Sequence, residues 1–419
     1  MAYVVGVVIF ALGLLFSVCL HEAGHMGVAK ALGMRVSRYF VGFGPTIFSF
    51  RRGETEYGLK AIPAGGFVSI DGMSPHVIDT PAEHEQQAFW RAPVWKRTAV
   101  MLAGSVTHLL LAIVLLWLAF SAFGIQRSAD PGTAPARLAA ISDCVVPGYE
   151  ASADGAIRAC RAGDPQAPAR AAGLQAGDVI TAVGTRPTPT LASFQAALRE
   201  AAGAQPLPVT YTRGGTTRTA TVTPVVAQRP PAGATDTSKL VPTPTIGVVG
   251  DLATSTVREG PIDGLGSAFS TSGGMVKATF SALGSIPAKV PALVDALFGG
   301  ERDPNSPVSV VGASRAGGEI LSNQGTGGVA FFIALLAGTN IFLGVFNLVP
   351  LPPLDGGHIA VMWFERIRSR IALSRGRPDP GFVRPERIAP VVMVFIAVFG
   401  TFALLAVAAD VINPVKLFQ

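Results

Sequence analysis

Met1 to Leu20, a run of twenty residues without a charge, leads directly into His21-Glu22-Ala23-Gly24-His25. A bilayer core takes about 20 apolar residues in helical form, so the run reads as a membrane-spanning helix with three ionisable side chains at its end. A cleaved signal peptide is the weaker reading. Its start carries no Lys or Arg, and Phe16-Ser17-Val18 stands where a small-residue cleavage site is expected. Three more runs free of Asp, Glu, Lys and Arg follow, at Thr98 to Gln126, Ile320 to Leu354 and Ile388 to Ala409. The inner two bracket a polar segment, residues 127 to 319. The expected fold is a polytopic α-helical membrane protein with about four transmembrane helices, two on each side of an aqueous domain, and both termini on one face.

Composition supports that plan. Of 419 residues, 49% are apolar and 14% charged, against about 25% charged in a typical soluble domain. An ordinary soluble enzyme and a disordered chain are both excluded. Nine Lys/Arg lie between the first two spans (Lys30, Arg35, Arg38, Arg51, Arg52, Lys60, Arg91, Lys96, Arg97) and seven between the last two (Arg366, Arg368, Arg370, Arg375, Arg377, Arg384, Arg387). By the positive-inside rule, loops 30–97 and 363–387 are expected in the cytoplasm, with the termini and the 127–319 segment outside. The net charge of +6 is thus a topology signal. No basic run alternates with aromatics, and no nucleic-acid partner is expected.

His21-Glu22-Ala23-Gly24-His25 is an H-E-x-x-H pattern. At i and i+4 on a helix, two imidazoles share one face and can hold one Zn²⁺, with the adjacent glutamate placed to accept a proton from water. The pentapeptide recurs by chance, but ionisable groups at membrane depth are costly and usually functional. A catalytic zinc normally has three protein ligands. The run from Asn347 to His358, with Pro350, Pro352 and Pro353 before Asp355 and Gly356-Gly357 after it, cannot continue a regular helix. Broken backbone at that depth is tolerated only against protein or a water-filled cavity. Asp355 is the favoured third ligand and His358 the competing one.

H-E-x-x-H in the first span, followed far downstream by Asn347, Pro350, Pro352, Leu354, Asp355 and Gly356 in the order N-x-x-P-x-P-x-L-D-G, resembles the site-2 protease family of intramembrane zinc metalloproteases. The resemblance covers residues 1 to 126 and 325 to 411. It implies one zinc per chain on His21, His25 and Asp355, Glu22 as general base, and Asn347 as the group that binds substrate or the developing oxyanion. It further implies cleavage within the membrane segments of single-pass proteins, such as membrane-bound anti-sigma factors, after a first cut outside, in a bacterial plasma membrane.

Residues 39–70 read as short β-rich pieces separated by turns. In the resembled family a membrane-entering β-hairpin here clamps substrate as an added strand. Proline scanning of Thr46 to Phe50 is then expected to impair cleavage without loss of zinc. Downstream, Pro168 to Arg170, the strand within Gly173 to Gly184, a helix over Leu191 to Ala202, and a hairpin turning at Gly214-Gly215 resemble a PDZ domain. A peptide ligand, or service as a size filter, is the implied role. Cys144 and Cys160 lie outside, where an oxidising compartment permits a bridge, two free thiols being the alternative; Cys19 lies in the first span.

The expected division is 1–126, an N-terminal membrane part with the hairpin region and second span; 127–226, an extracytoplasmic α+β PDZ-like domain; 227–324, a linker and an amphipathic surface segment; and 325–419, a C-terminal membrane part with last span 388–409. His108 is expected to pack rather than ligate. His76 and His84 are expected to be solvated. Trp90, Trp95 and Trp363 are expected as interfacial anchors, and Trp117 as packing. Two other classes remain: a zinc-containing adaptor presenting clients through its PDZ domain without proteolysis, which the presence of Glu22 disfavours, and a metal transporter, which the inserted domain disfavours.

Overall fold

In the computed structural model, which describes residues 2–73, 82–149, 157–201, 205–231, 239–252, 254–300, 302 and 306–415, the uncharged run opens as α1 (Ala2–Ala31). Gly33, at φ +82°, ends it, a left-handed position that favours glycine. The Met34 N–H then closes on the Ala29 carbonyl at 2.9 Å. Next come β1 (Val36–Arg52) and β2 (Thr55–Ile70), which pair with each other. Arg38 to Val41 face both Glu56 to Leu59 and Gly66 to Ser69. The two long strands thus fold into a sheet with 38–41 inside, Thr46 to Arg52 along one edge and Gly66 to Ile70 along the other.

Pro93 precedes α2 (Val94–Leu118), which runs on through a π-turn to Phe123. The second unit, Gln126–Val257, is described by itself below. The first unit resumes with α5 (Pro261–Leu297), α6 (Val310–Gln324), α7 (Val329–Asn347), α8 (Asp355–Ser374) and α9 (Pro385–Ile412). Five helices among the described residues, α1, α2 with its π-turn, α5, α7 and α9, are long and apolar enough to cross a bilayer. At 1.5 Å per residue even the shortest, α7 with 19 residues, reaches about 28 Å. α5 is the one not expected as a span, and it is the least apolar, with Pro287 and Pro291 inside it. Its first residue accepts the Trp117 indole N–H at the end of α2 (2.9 Å), and its last turn accepts Asn413 at the end of α9 (Ala296 O, 3.2 Å). The expected third run is also subdivided: its first residues close α6, and a short 3₁₀ turn precedes α7.

Small residues bring the helices of this unit close. A Cβ on Gly6 of α1 would lie 2.8 Å from the Gly318 Cα of α6, and one on Gly24 would lie 2.4 Å from the Thr107 hydroxyl of α2. Ala112, Leu116, Ala330, Ala337 and Ile341 form the α2–α7 core. Trp117 packs at its margin, as expected; Trp95 stands exposed at the start of α2 and Trp363 exposed midway along α8. His84 is half-buried rather than freely solvated; His76 lies outside the described residues.

The second unit contains β3 (Ile125–Ser128), β4 (Leu138–Ile141), α3 (Pro168–Ala171), β5 (Val179–Val183), β6 (Arg186–Pro187), α4 (Leu191–Glu200), β7 (Leu207–Arg213), β8 (Thr216–Val222), β9 (Val225–Arg229), β10 (Val241–Thr245), β11 (Val248–Gly250) and β12 (Thr254–Val257). The central sheet runs β6-β5-β7-β8. Gly214 and Gly215, at φ +55° and +80°, make the two-residue turn between β7 and β8. A Thr190/Ser193 capping box starts α4, which lays Phe194 and Leu198 on Ile180, Val209 and Tyr211. Cys144 and Cys160 are bonded, so the bridge rather than two thiols is present. The start of the 227–324 segment, expected as linker, instead supplies the end of β9 and all of β10, and the unit runs to Val257 rather than 226.

Candidate metal centre

α1 presents His21 and His25 on one face, both buried, as the i and i+4 spacing requires. Their Nε2 atoms lie 3.1 Å apart. After α7 ends at Asn347, the proline-rich turn brings the chain back so that Asp355 opens α8, and its Oδ2 lies 3.4 Å from each of those nitrogens. Gly356 and Gly357 make this return possible. A Cβ on either would come within 2.2 Å of the Leu348–Pro352 backbone.

The triangle of 3.1, 3.4 and 3.4 Å has a physical reading. Donor atoms at tetrahedral angles around a zinc ion, each about 2.0–2.1 Å from it, stand about 3.3 Å from one another. His25 Nδ1 lies 2.7 Å from the Val100 carbonyl oxygen, which can only accept, so Nδ1 carries the proton and Nε2 keeps its lone pair. Asp355 Oδ2 is buried with no hydrogen-bond partner. Two imidazoles and a carboxylate, one oxygen orphaned and all converging on a point, form a donor set that fits a small tetrahedral cation. His358 is exposed and lies outside the group formed by His21, His25 and Asp355.

Glu22 is half-buried beside the triad, and its Oε2 accepts the Val68 N–H at 3.1 Å. The strand edge beside it is therefore Gly66 to Ile70, where a Cβ on Gly66 would lie 3.7 Å from the Glu22 side chain. Thr46 to Phe50 belongs to the other edge. Asn347, the last residue of α7, is half-buried, and among the described residues no hydrogen bond or ion pair joins it to the triad.

Two contributors, Gly104 and Asn340, escape the sequence. Gly104 of α2 faces the imidazoles, and a Cβ there would fall 2.5 Å from both His21 Cε1 and His25 Nε2. His108 does pack, as expected, but its partner is Asn340 of α7, through Nδ1 and Oδ1 at 2.9 Å, and its ring lies 4.9 Å from that of His21. Both are fully buried. One available signal was Thr339-Asn340, a polar pair within the otherwise apolar α7.

Residues 9–378 match the profile of Peptidase family M50. Over its whole length and theirs, the chain is 39% identical to proteins named zinc metalloprotease Rip1 from Mycobacterium tuberculosis and from Mycolicibacterium smegmatis. It is also similar, at 27% identity over 96% of each chain, to a putative zinc metalloprotease of Nostoc sp..

Proposed function

Because this chain belongs to peptidase family M50, the site-2 protease family, and is a zinc metalloprotease, we propose that it hydrolyses peptide bonds within the membrane segments of single-pass proteins after a first cut outside, with membrane-bound anti-sigma factors as its substrate class. The observation that carries this reading is the His21, His25 and Asp355 triangle with Glu22 beside it, the two histidines and the glutamate carried by a helix apolar and long enough to span the bilayer. An adaptor would have no use for that arrangement.

In this reading His21, His25 and Asp355 hold one zinc ion per chain. When bound, zinc supplies the Lewis acidity that polarises a carbonyl and acidifies a water. Glu22 takes the proton of the attacking water on its carboxylate and returns it to the leaving amide nitrogen. The Val68 N–H fixes the direction of that carboxylate, and the Val100 carbonyl keeps the His25 proton on Nδ1. Asn347 is assigned to the substrate or its developing oxyanion. A helical substrate has its carbonyls already bonded within the segment, so it must unwind before attack. The β2 edge at Gly66 to Ile70 offers it a strand to pair with.

The topology proposed is a bacterial plasma-membrane protein with loops 30–97 and 363–387 in the cytoplasm and the second unit outside. Four crossings are supported by α5, which starts beside the end of α2 and finishes beside the end of α9. The second unit, PDZ-like in its α4 and β5 to β8 part, is assigned to binding peptide or filtering substrates by size.

The test is cleavage of a single-span substrate, shortened on its outer side, by the wild type and by Glu22→Gln at matched zinc content. Product from the wild type alone, mapped within the span, is expected. Product from both, or cuts only outside the span, would sink the proposal.

A further inference from the structure

A cavity of about 480 Å³ lies far along α8 from Asp355, where the first turn of α2 meets the second half of α8 and the extended chain that follows it. Arg97 lines it and is only 7% exposed. Its Nε is buried without a hydrogen-bond partner, and among the described residues no ion pair ends on it. The contact nearest to a partner is the Phe382 ring, with its centroid 5.8 Å from the guanidinium. Glu365 acts on it through space but makes no ion-pair contact with it, and a buried guanidinium without a bonded acceptor is disfavoured.

The carboxylates of the cavity already have donors. Glu365 accepts the Val383 N–H at 2.8 Å, and Asp379 accepts the Ser369 hydroxyl at 2.8 Å and the Gly381 N–H at 2.9 Å. Two further cations, Arg366 and Arg370, line the same cavity four residues apart on α8, and both are exposed. The site therefore sets three guanidinium groups against two carboxylates that also accept from backbone and hydroxyl donors, an excess of one positive charge.

Its surroundings say where the anion comes from. The cavity lies at the end of a candidate span, α2, and is flanked by Trp95 and Trp363, which are 60% and 46% exposed. Tryptophan collects at the level of lipid headgroups. On α8, Phe364, Ile367 and Ile371 stand exposed beside the arginines, the pattern of a helix lying in the interface. Basic pockets between membrane helices take anionic headgroups, and the planar guanidinium fork matches phosphate oxygens.

We infer that this cavity binds the phosphate of an anionic phospholipid, with Arg97 as the buried contact, Arg366 and Arg370 at the rim, and the acyl chains leaving past Trp95 and Trp363. Nothing in this inference depends on the substrate class proposed above, and it is tested without reference to proteolysis.

The experiment uses the full zinc-loaded chain in neutral micelles. Retention of phosphatidylglycerol and of phosphatidylcholine with the same acyl chains is read by native mass spectrometry. Wild type, Arg97→Gln and the double variant Arg366→Gln/Arg370→Gln are compared, each with and without inorganic phosphate. The wild type is expected to prefer phosphatidylglycerol, each variant to lose about tenfold or more of that retention with zinc unchanged, and inorganic phosphate not to displace the lipid. Equal retention of both lipids overturns the inference. So does wild-type retention by the double variant, whose exposed sites leave folding intact even if Arg97→Gln does not fold. Displacement by inorganic phosphate assigns the site to the free ion and overturns the lipid.

Discussion

At the metal centre the tolerance for error is a few tenths of an ångström, and Gly104 shows why. A methyl group there would stand 2.5 Å from an atom of each imidazole, closer than any packed carbon approaches. One ring must then turn away, and the triangle opens. Gly104→Ala is expected to weaken zinc binding by about 10–100-fold, the size of effect that supporting groups around metal ligands carry. Competition against a chelator, with helical content checked by circular dichroism, measures it; unchanged affinity would show that the imidazoles are free to move. That His21, Glu22, His25 and Asp355 come together was legible because their types and spacing point to one proposed chemistry. Gly104 was not, since its contribution is the absence of a side chain at a contact between two helices. The Asn340–His108 bond was hidden for a related reason: it joins positions 232 residues apart, and nothing local to either signals the other.

Each strand edge of the β1–β2 sheet has its own test. Tyr39 is the cross-strand neighbour of Val68, yet the Val68 N–H points the other way, to Glu22. Proline at 68 therefore removes the Glu22 contact while leaving the pairing with Tyr39 in place. Val68→Pro is expected to slow cleavage about tenfold or more, the worth of a hydrogen bond to a charged group, at unchanged zinc content. Phe48→Pro, on the exposed far edge, is expected to cost less. An equal loss in both would mean that both edges contact substrate. In the second unit the sensitive element is β5 with its flanking turn. Asp178 is fully buried, which opposes its ionisation, but Arg213 donates to both its oxygens at 2.7 Å and the Gln175 N–H donates at 2.8 Å. The balance holds its carboxyl below the ordinary carboxylate range. A folded value below the unfolded one means stability that is complete above about pH 4 and is lost as pH falls through the folded value. Asp178→Asn is expected to destabilise the unit by about 2 kcal/mol at neutral pH, between the magnitudes of exposed and buried pairs. It should also flatten the acid limb, as read by proteolysis of that unit across a pH series; a variant melting like the wild type would contradict this. Strand content here was legible from turns and alternation, whereas β10 was not, because its Val-Pro-Thr-Pro-Thr sequence reads as a linker and proline enters a sheet only at edges, strand starts or bulges.

The way the second unit is inserted makes its role separable from the chemistry. The first unit leaves off at Ile125 and resumes at Arg258, and just inside those points the Glu259 N–H bonds the Phe120 carbonyl at 3.1 Å. The two cut ends are already neighbours within the membrane unit. Replacing Gln126 to Val257 with a short Gly/Ser link should leave the α2, α5 and α7 packing intact, along with the zinc triangle on α1 and α8. Such a variant is expected to bind zinc and to cleave an already shortened substrate at close to the wild-type rate. The informative substrate is one whose outer domain is whole. If the second unit acts as a size filter, the wild type refuses that substrate and the shortened enzyme accepts it, since the residues doing the chemistry never distinguished the two. If both enzymes refuse it, selection resides in the membrane unit, and the second unit is a spacer. Activity lost on the shortened substrate with zinc retained would instead mean that the unit delivers substrate by binding it, as a peptide groove does. The three outcomes differ in which substrate responds, so a single pair of substrates separates them.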